Sequence, residues 1–491
     1  MARPTTICVA PGDGIGPEIM RAALGVFEAA GVNSHLAFQP VEMGEQVFAR
    51  GDTRGMTGDA IKAVEASGVL FKGPMATPKG GGGKSINVTA RKLWGAYANL
   101  RHFRTLSGVD TVFSRAGKNI NFFVVRENIE DTYGGVERRI SPDAAECKRI
   151  ITAPGSDQVC RFAFETAKRL GITSVHCGHK ANIMKITDGL FLERFYEAAR
   201  AHPSITAGDV IVDALCMNMV VRPESFSMIV LPNLQGDIVS DLAAGLVGGL
   251  GFAPSANIGE QISIFEAVHG TAPDIAGKGI ANPTSLLLSG VMMLRHIGLL
   301  RTAAVIENAL LATLDDGVHT GDFGHPATPS VGTEAFAKAI ISRLGSVPDE
   351  GAVAVPESES LAFRPPTRPP APRLIRTAAR CEMAEAGVDI YITTDRPVAA
   401  LASDILAIAE PTPFGLTMMS SRGTQVWPTG SNYTEVVDYV RARFEAKPGQ
   451  TVTQSQGISL TAKIAEKFTI AQVEWLRRYD GKNGFSLAQG Q

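Results

Sequence analysis

The residues best suited to chemistry form an anion cradle. Ser85, Asn87, Arg91 and Arg101 stand close together after Gly80-Gly81-Gly82-Gly83-Lys84, and Arg126 follows in Val124-Val125-Arg126-Glu127-Asn128. A guanidinium pairs bidentately with carboxylate or phosphate, so three of them beside a hydroxyl and an amide suit a small anion with several carboxylates. Any one of these arginines alone reads more readily as solvated charge on a helix face. A second cluster is acidic. Gly236-Asp237-Ile238-Val239-Ser240-Asp241 places two carboxylates at i and i+4 on one helix face, a like-charged pair that costs a few tenths of a kcal/mol unless a cation lies between them. Asp213, read at the end of a strand Val210–Asp213, is a candidate third oxygen for Mg²⁺ or Mn²⁺, hard ions that take oxygen ligands. From spacing alone, a solvated helix face with Asp241 exposed remains open.

Two further segments carry polar groups in suggestive order. His179-Lys180-Ala181-Asn182-Ile183-Met184-Lys185 sets a lysine after a strand, where it is either a surface charge or, if desolvated near a cation, a base. His269-Gly270-Thr271-Ala272-Pro273-Asp274-Ile275-Ala276-Gly277-Lys278-Gly279-Ile280-Ala281-Asn282-Pro283 is a glycine-rich loop before a long helix. Its backbone amides and the helix N-terminus could hold a ligand. Other glycine motifs fail their tests. Pro11-Gly12-Asp13-Gly14-Ile15-Gly16 has Gly-x-Gly-x-Gly spacing rather than Gly-x-Gly-x-x-Gly, and reads equally as a tight strand-to-helix turn. Gly83-Lys84-Ser85 resembles the end of a P-loop, but Pro78 stands where that motif needs glycine.

These side chains must be positioned by a chain of 491 residues, longer than one typical domain. Short apolar runs alternate with amphipathic ones through the first part. Ile7–Ala10, Val69–Lys72, Asn121–Arg126, Ser174–His176, Val210–Asp213 and Met228–Pro232 read as buried strands, and Pro17–Ala30, Asp157–Leu170 and Met184–Ala201 as helices. The alternation predicts an α/β fold with a largely parallel sheet over residues 1–347. Pro283–Ile297 is apolar on most faces and suits a central or interface helix. A proline-rich linker, 348–372, separates this part from a small α+β domain at 373–491, which includes Val388–Thr393, Pro397–Glu410 and Tyr433–Phe444.

The 47 basic and 49 acidic residues give a formal net charge of −2, so no field for nucleic acid or an anionic membrane is expected. The six cysteines at 8, 147, 160, 177, 216 and 381 show no zinc spacing, which suits a reducing cytoplasm. Neither a secretory signal nor a membrane span is expected from the apolar windows.

In their order along the chain, these motifs resemble the β-decarboxylating dehydrogenase family, which includes isocitrate, homoisocitrate, 3-isopropylmalate and tartrate dehydrogenases. The resemblance covers residues 5–345 and is greatest to the long, homodimeric bacterial isocitrate dehydrogenases with an added C-terminal domain. Thr412–Pro428 and the terminal Tyr479-Asp480-Gly481 to Gly490 segment are similar to that extension. The resemblance implies an isopropylmalate dehydrogenase-like fold of large and small α/β subdomains, not a Rossmann fold. It further implies that Ser85, Asn87, Arg91, Arg101, Arg126 and Asn182 bind substrate, with Ser85 and Asn87 at the γ-carboxylate of isocitrate. Asp213, Asp237 and Asp241 would hold Mg²⁺ or Mn²⁺, Lys180 would help remove the hydroxyl proton, and Tyr133 would protonate the enolate carbon. Asp213 and Lys180 would enter the site from a neighbouring subunit. Thr77, His269, Gly270, Thr271, Ala272, Asp274, Ile275 and Asn282 would contact the dinucleotide.

NADP-dependent relatives in this family carry Lys-Tyr where this chain has Asp274-Ile275. A carboxylate there accepts ribose hydroxyls and repels a 2′-phosphate, and Asp322-Phe323-Gly324-His325 lacks a downstream arginine. The expectation is therefore NAD as cofactor, in a cytoplasmic homodimer oxidising isocitrate to 2-oxoglutarate and CO₂. Homoisocitrate or tartrate as substrate, or a non-catalytic regulatory subunit, are the alternatives.

Overall fold

A computed structural model describes residues 4–76, 85–324, 327–360, 363, 381–430 and 434–487. The chain divides into two compact units, one of residues 1–133 and 151–374, the other of 134–150 and 375–491.

The first unit is built on a ten-stranded sheet. Its order is Leu36–Pro40, Thr5–Ala10, Val69–Lys72, Ser263–Ala267, Pro254–Ile258, Ala98–Arg104, Asn121–Glu127, Met228–Leu231, Ser174–His179 and Thr206–Ile211. The flanks are parallel, joined by helical crossovers such as Gly16–Ala29 and Ala153–Leu170. At the centre, Ala98–Arg104 runs antiparallel to both neighbours, and Pro254–Ile258 antiparallel to Ser263–Ala267. Six of the nine strand pairings are parallel, as expected, and three at the centre are antiparallel, one of them across the short 259–262 turn between Pro254–Ile258 and Ser263–Ala267.

The apolar helix Thr284–Ile297 packs on these central strands, and eleven of its residues are buried. The strand expected to end at Asp213 stops at Ile211; Asp213 lies in the first turn of helix Val212–Val221. Hydrophobicity could not separate them, since β-branched residues continue across the junction. Of the linker, Glu359 caps helix Leu300–Asp315, accepting from the amides of Arg301 and Thr302 at 2.9 Å each. Positions 361–362 and 364–372 lie outside the described residues.

The second unit is a six-stranded antiparallel sheet with helices Val398–Ala409 and Gln454–Ala465. Val388, Ile390 and Ile392 alternate into its apolar core. Asp389, between them in sequence, pairs bidentately with buried Arg443 at 2.8 Å per contact. The hairpin Glu137–Arg139 with Ala145–Cys147 belongs to this unit, tied by Ser141 Oγ to Asp438 at 2.5 Å and Lys148 Nζ to Glu474 at 3.0 Å.

Candidate active site

Helix Asn233–Leu246 packs against strand Asn121–Glu127 so closely that a Cβ on Gly236 would stand 2.6 Å from Cγ of Arg126. That approach brings Arg126, 2% exposed, under the helix. Its Nε and Nη2 donate to Asn233 Oδ1 at 3.0 and 2.8 Å, and its Nη1 pairs with Asp237. Its guanidinium lies 4.8 Å from the ring centroid of Tyr133, whose hydroxyl donates to the other oxygen of Asp237 at 2.5 Å. Arg101 comes from the next strand. It donates to Asn99 Oδ1 and Ser240 Oγ at 2.7 Å each, and reaches Asp237 at 3.9 Å and Asp241 at 3.7 Å.

The charges are tuned by this crowding. Burial, with Arg126 nearby, pushes Arg101 down to about 10, still a cation at neutral pH. Burial would raise Asp237, but Arg126, the Tyr133 hydroxyl and Arg101 outweigh it and hold the carboxyl below its ordinary value. Asp241 is raised, because burial exceeds what Arg101 returns. The Tyr133 phenol is raised by burial and by its bond to Asp237, so it keeps its proton well into alkaline solution.

Beneath the cradle lies an ion cluster that sequence reasoning missed. Lys72, 1% exposed, pairs with Glu266 Oε2 and donates to Asn87 Oδ1 at 2.8 Å. Glu266 Oε1 accepts from Arg91 Nη2 and Asn257 Nδ2, both at 2.8 Å. Asn257 accepts in turn from Asn99 at 2.9 Å and Asn128 at 3.0 Å. Asn87 therefore has its carbonyl engaged and its amide N–H group oriented to donate. The Arg91 Nε is buried without a partner among the described residues. A donor left so is what an anion in the cradle would satisfy. Burial opposes ionisation of Glu266, yet Lys72 and Arg91 hold its carboxyl far below the usual range. The available signals were a lysine closing the apolar run Val69–Lys72 and a glutamate inside Ser263–Ala267.

Ser85 precedes helix Ile86–Leu93, and its carbonyl accepts from Thr89. Lys180 pairs with exposed Asp213, and its amide donates at 2.7 Å to Asp188, which also accepts from Gln235 at 2.9 Å. Asn182 is exposed nearby. Lys180 holds the Asp213 carboxyl below its ordinary value. One chain thus brings Asp237 and Asp241 together but leaves Asp213 with Lys180, and among the described residues no group of three or more His, Cys, Asp and Glu could hold a metal. The two convergent carboxylates fit a hard cation, which takes oxygen ligands.

In the glycine-rich loop, Thr271 O accepts from Ile15 N at 2.9 Å, and a Cβ on Gly14 would sit 2.0 Å from that oxygen. The Gly12–Gly16 turn therefore serves to seat this loop. Half-buried His269 donates through Nδ1 to the Gly270 carbonyl, 2.9 Å away; burial lowers its pKa. Ala272 is left-handed at φ 42°, followed by the one-turn helix Pro273–Ile275 with exposed Asp274. Asn282 bonds Asp322 at 3.1 Å and accepts from Thr284 N at 3.0 Å. Thr77 and His325 lie outside the described residues.

Arg101 and Arg126 on the central strands, with Tyr133 and the paired carboxylates of helix Asn233–Leu246 against them, make one cluster able to hold a polycarboxylate beside a proton donor. The model described as "Isocitrate/isopropylmalate dehydrogenase" matches residues 6–340, and the chain belongs to that family. Residues 384–491 match the "Bacterial isocitrate dehydrogenase, C-terminal domain". A relative from Thermus thermophilus, named "Isocitrate dehydrogenase [NADP]", is 42% identical over 99% of this chain and 96% of its own length. One of the same name from Rickettsia conorii is 36% identical over 100% of both. A crystal structure of a Thermus thermophilus protein superposes with a TM-score of 0.90 at 43% identity, covering 99% of this chain and 96% of that one.

These full-length relatives overturn the expectation of NAD. The Asp274-Ile275 argument relied on a carboxylate in contact with the ribose. Asp274 stands exposed with exposed Lys278 four residues further on, so solvent and salt weaken the repulsion on which that argument rested. The second support was the lack of an arginine in Asp322-Phe323-Gly324-His325, where Asp322 is engaged by Asn282 and Thr320.

Proposed function

We propose that the protein catalyses the metal-assisted oxidative decarboxylation of isocitrate to 2-oxoglutarate and CO₂, with NADP⁺ as acceptor. The observation that carries this reading is the convergence of Arg91, Arg101, Arg126 and Asn87 beside Tyr133, Asp237 and Asp241. Three cations match three carboxylates, and the Asn87 amide with Ser85 offers donors where an isopropyl group would leave them unpaired. The acceptor follows the names of the full-length relatives.

Mg²⁺ or Mn²⁺ between the aspartates would polarise the substrate hydroxyl and neutralise charge developing on its oxygen. The arginines fix the carboxylates and orient the C2–H bond toward the nicotinamide. As hydride leaves C2, Lys180 with Asp213 takes the hydroxyl proton. The C3–carboxylate bond then breaks, CO₂ departs and its electron pair forms the enolate, to whose C3 Tyr133 delivers a proton.

This assignment requires two copies of the chain. Met217, Val221 and Ile238, exposed by 58%, 65% and 60%, form an apolar face on helices Val212–Val221 and Asn233–Leu246. A second copy covering that face would carry its Asp213 and Lys180 toward Asp237 and Asp241 of the first. A cytoplasmic setting belongs to the same reading and rests on the free, exposed thiols of Cys147 and Cys381. The test is reduced-nicotinamide absorbance with isocitrate, homoisocitrate, tartrate and 3-isopropylmalate, each with Mg²⁺ or Mn²⁺ and with NADP⁺ or NAD⁺. Isocitrate should turn over with the higher kcat/KM on NADP⁺; no isocitrate turnover overturns the substrate, and a higher value on NAD⁺ overturns the acceptor.

A further inference from the structure

The strands that hold the cradle have a second face. Side chains alternate across a strand, so Asn99 and Arg101, Ser255 and Asn257, and Glu266 form the polar network already described. Leu100, His102 and Arg104, Ala256 and Ile258, and Phe265 point the other way. There they line a cavity of about 640 Å³ closed by helix Thr284–Ile297, with Met292 and Arg295 contributing from that helix. Its volume falls within the usual range for small-molecule sites, and its lining is apolar with a few convergent polar groups.

The polar groups gather at one end. Arg104 and Arg295 each pair with a different oxygen of Glu307, which is 4% exposed at its side chain. Two guanidiniums on one carboxylate leave a net positive charge at the wall, with unused N–H donors, and Arg169 also lines the space. The opposite requirement, a flat apolar body, is met by rings. His102 stacks on Phe123 at 4.0 Å with an interplanar angle of 8°, and His296 packs on Phe265 at 5.4 Å. Burial pushes His102 down to about 4, so at neutral pH it presents an uncharged face.

We propose that this cavity is a second ligand site, for a small molecule with an aromatic or otherwise flat apolar body and one acidic group, and that it acts on the substrate site through strand Ala98–Arg104. The apolar body lies between the ring pair and Met292, and the acid meets Arg104 and Arg295. Arg101, which grips the substrate, stands between Leu100 and His102 on the same strand. Filling one face therefore bears directly on the position of the other.

The test uses the full-length protein and 8-anilinonaphthalene-1-sulfonate, whose fused rings and sulfonate match that description. Fluorescence should rise to saturation at one probe per chain, and saturating isocitrate with Mg²⁺ and NADP⁺ should not displace it. Met292→Trp fills the cavity and should weaken binding about tenfold or more, a loss of about 1.4 kcal/mol or more. Arg295→Gln, at a position exposed enough to tolerate change, should weaken it severalfold. Lack of saturation, displacement by NADP⁺ or isocitrate, or unchanged affinity in both variants overturns the site. The probe should also shift the KM for isocitrate; an unchanged KM at saturation overturns the coupling. The fluorescence measurement is independent of the catalysed reaction, so failure of the isocitrate reading leaves it decisive.

Discussion

Substituting Glu266→Gln keeps the shape of the side chain and removes the carboxylate shared by Lys72 and Arg91. Both partners of the inner pair are buried, with 1% and 4% of their side chains exposed. Removing one member of a buried ion pair typically costs about 3–5 kcal/mol, because the other is left uncompensated. Lys72 has an escape that limits the loss. Shedding its proton at pH 7 from an ordinary value of about 10.4 costs at most about 4.6 kcal/mol, at about 1.36 kcal/mol per unit, and burial already lowers its pKa.

The expected destabilisation is thus about 3–4 kcal/mol. Lys72→Met should be comparably harmful, and the double substitution should recover about 1 kcal/mol or more relative to the sum of the singles. Urea unfolding of all four proteins at one fixed concentration measures this. A loss below about 1 kcal/mol for Glu266→Gln, or strict additivity, would refute the argument that the cluster is tightly coupled. The pH dependence supplies a second check. Glu266 is held below its unfolded value, so its contribution is complete above about pH 4.3 and disappears as pH falls through the folded value. The variant should therefore show a flatter acid limb below about pH 4, and because a Lys72 that sheds its proton on folding is protonated again on unfolding, its stability should rise with pH relative to the parent around neutral pH.

Three further outcomes are expected. Mixing inactive Lys180→Met and Tyr133→Phe proteins under conditions of subunit exchange should restore about one quarter of the original activity, because half the dimers are then mixed and each holds one intact shared site; no recovery means that each site is built within one chain. Tyr133→Phe alone should lower kcat by about 10²–10⁴-fold, and its melting curve should stay close to that of the parent; a smaller loss assigns the proton delivery elsewhere. Chelation should abolish turnover and added Mg²⁺ or Mn²⁺ restore it, while turnover that persists in excess chelator would exclude the aspartates as metal ligands.

Much of the site was legible because the responsible residues are charged and cluster in sequence. Arg91 and Arg101 with Ser85 and Asn87, and Asp237 with Asp241 one turn apart, announce themselves by type and spacing. The strands Val69–Lys72 and Met228–Leu231 could likewise be read from apolar runs. Asp213 could not be placed, since the β-branched run across Ile211 and Val212 gives no sign of where strand becomes helix. The cofactor was misjudged for a related reason: a dipeptide shows which charge is present, not whether it meets the ligand or faces solvent. Lys72 and Glu266 went unnoticed because their partners lie far away in sequence.

By itself, then, the sequence determined the inventory: three guanidiniums, an aspartate pair, a phenol and the family pattern that orders them. Those are local properties of composition and period. Tertiary structure alone decided which side chains touch. The antiparallel central strands set Asn99, Arg101, Asn257 and Glu266 on one face and Leu100, His102 and Phe265 on the other. Helix Asn233–Leu246 then brought Asp237 onto Arg126 and Tyr133. Pairing across a sheet depends on register and strand direction, which are settled by burial of whole elements rather than by any neighbour in sequence.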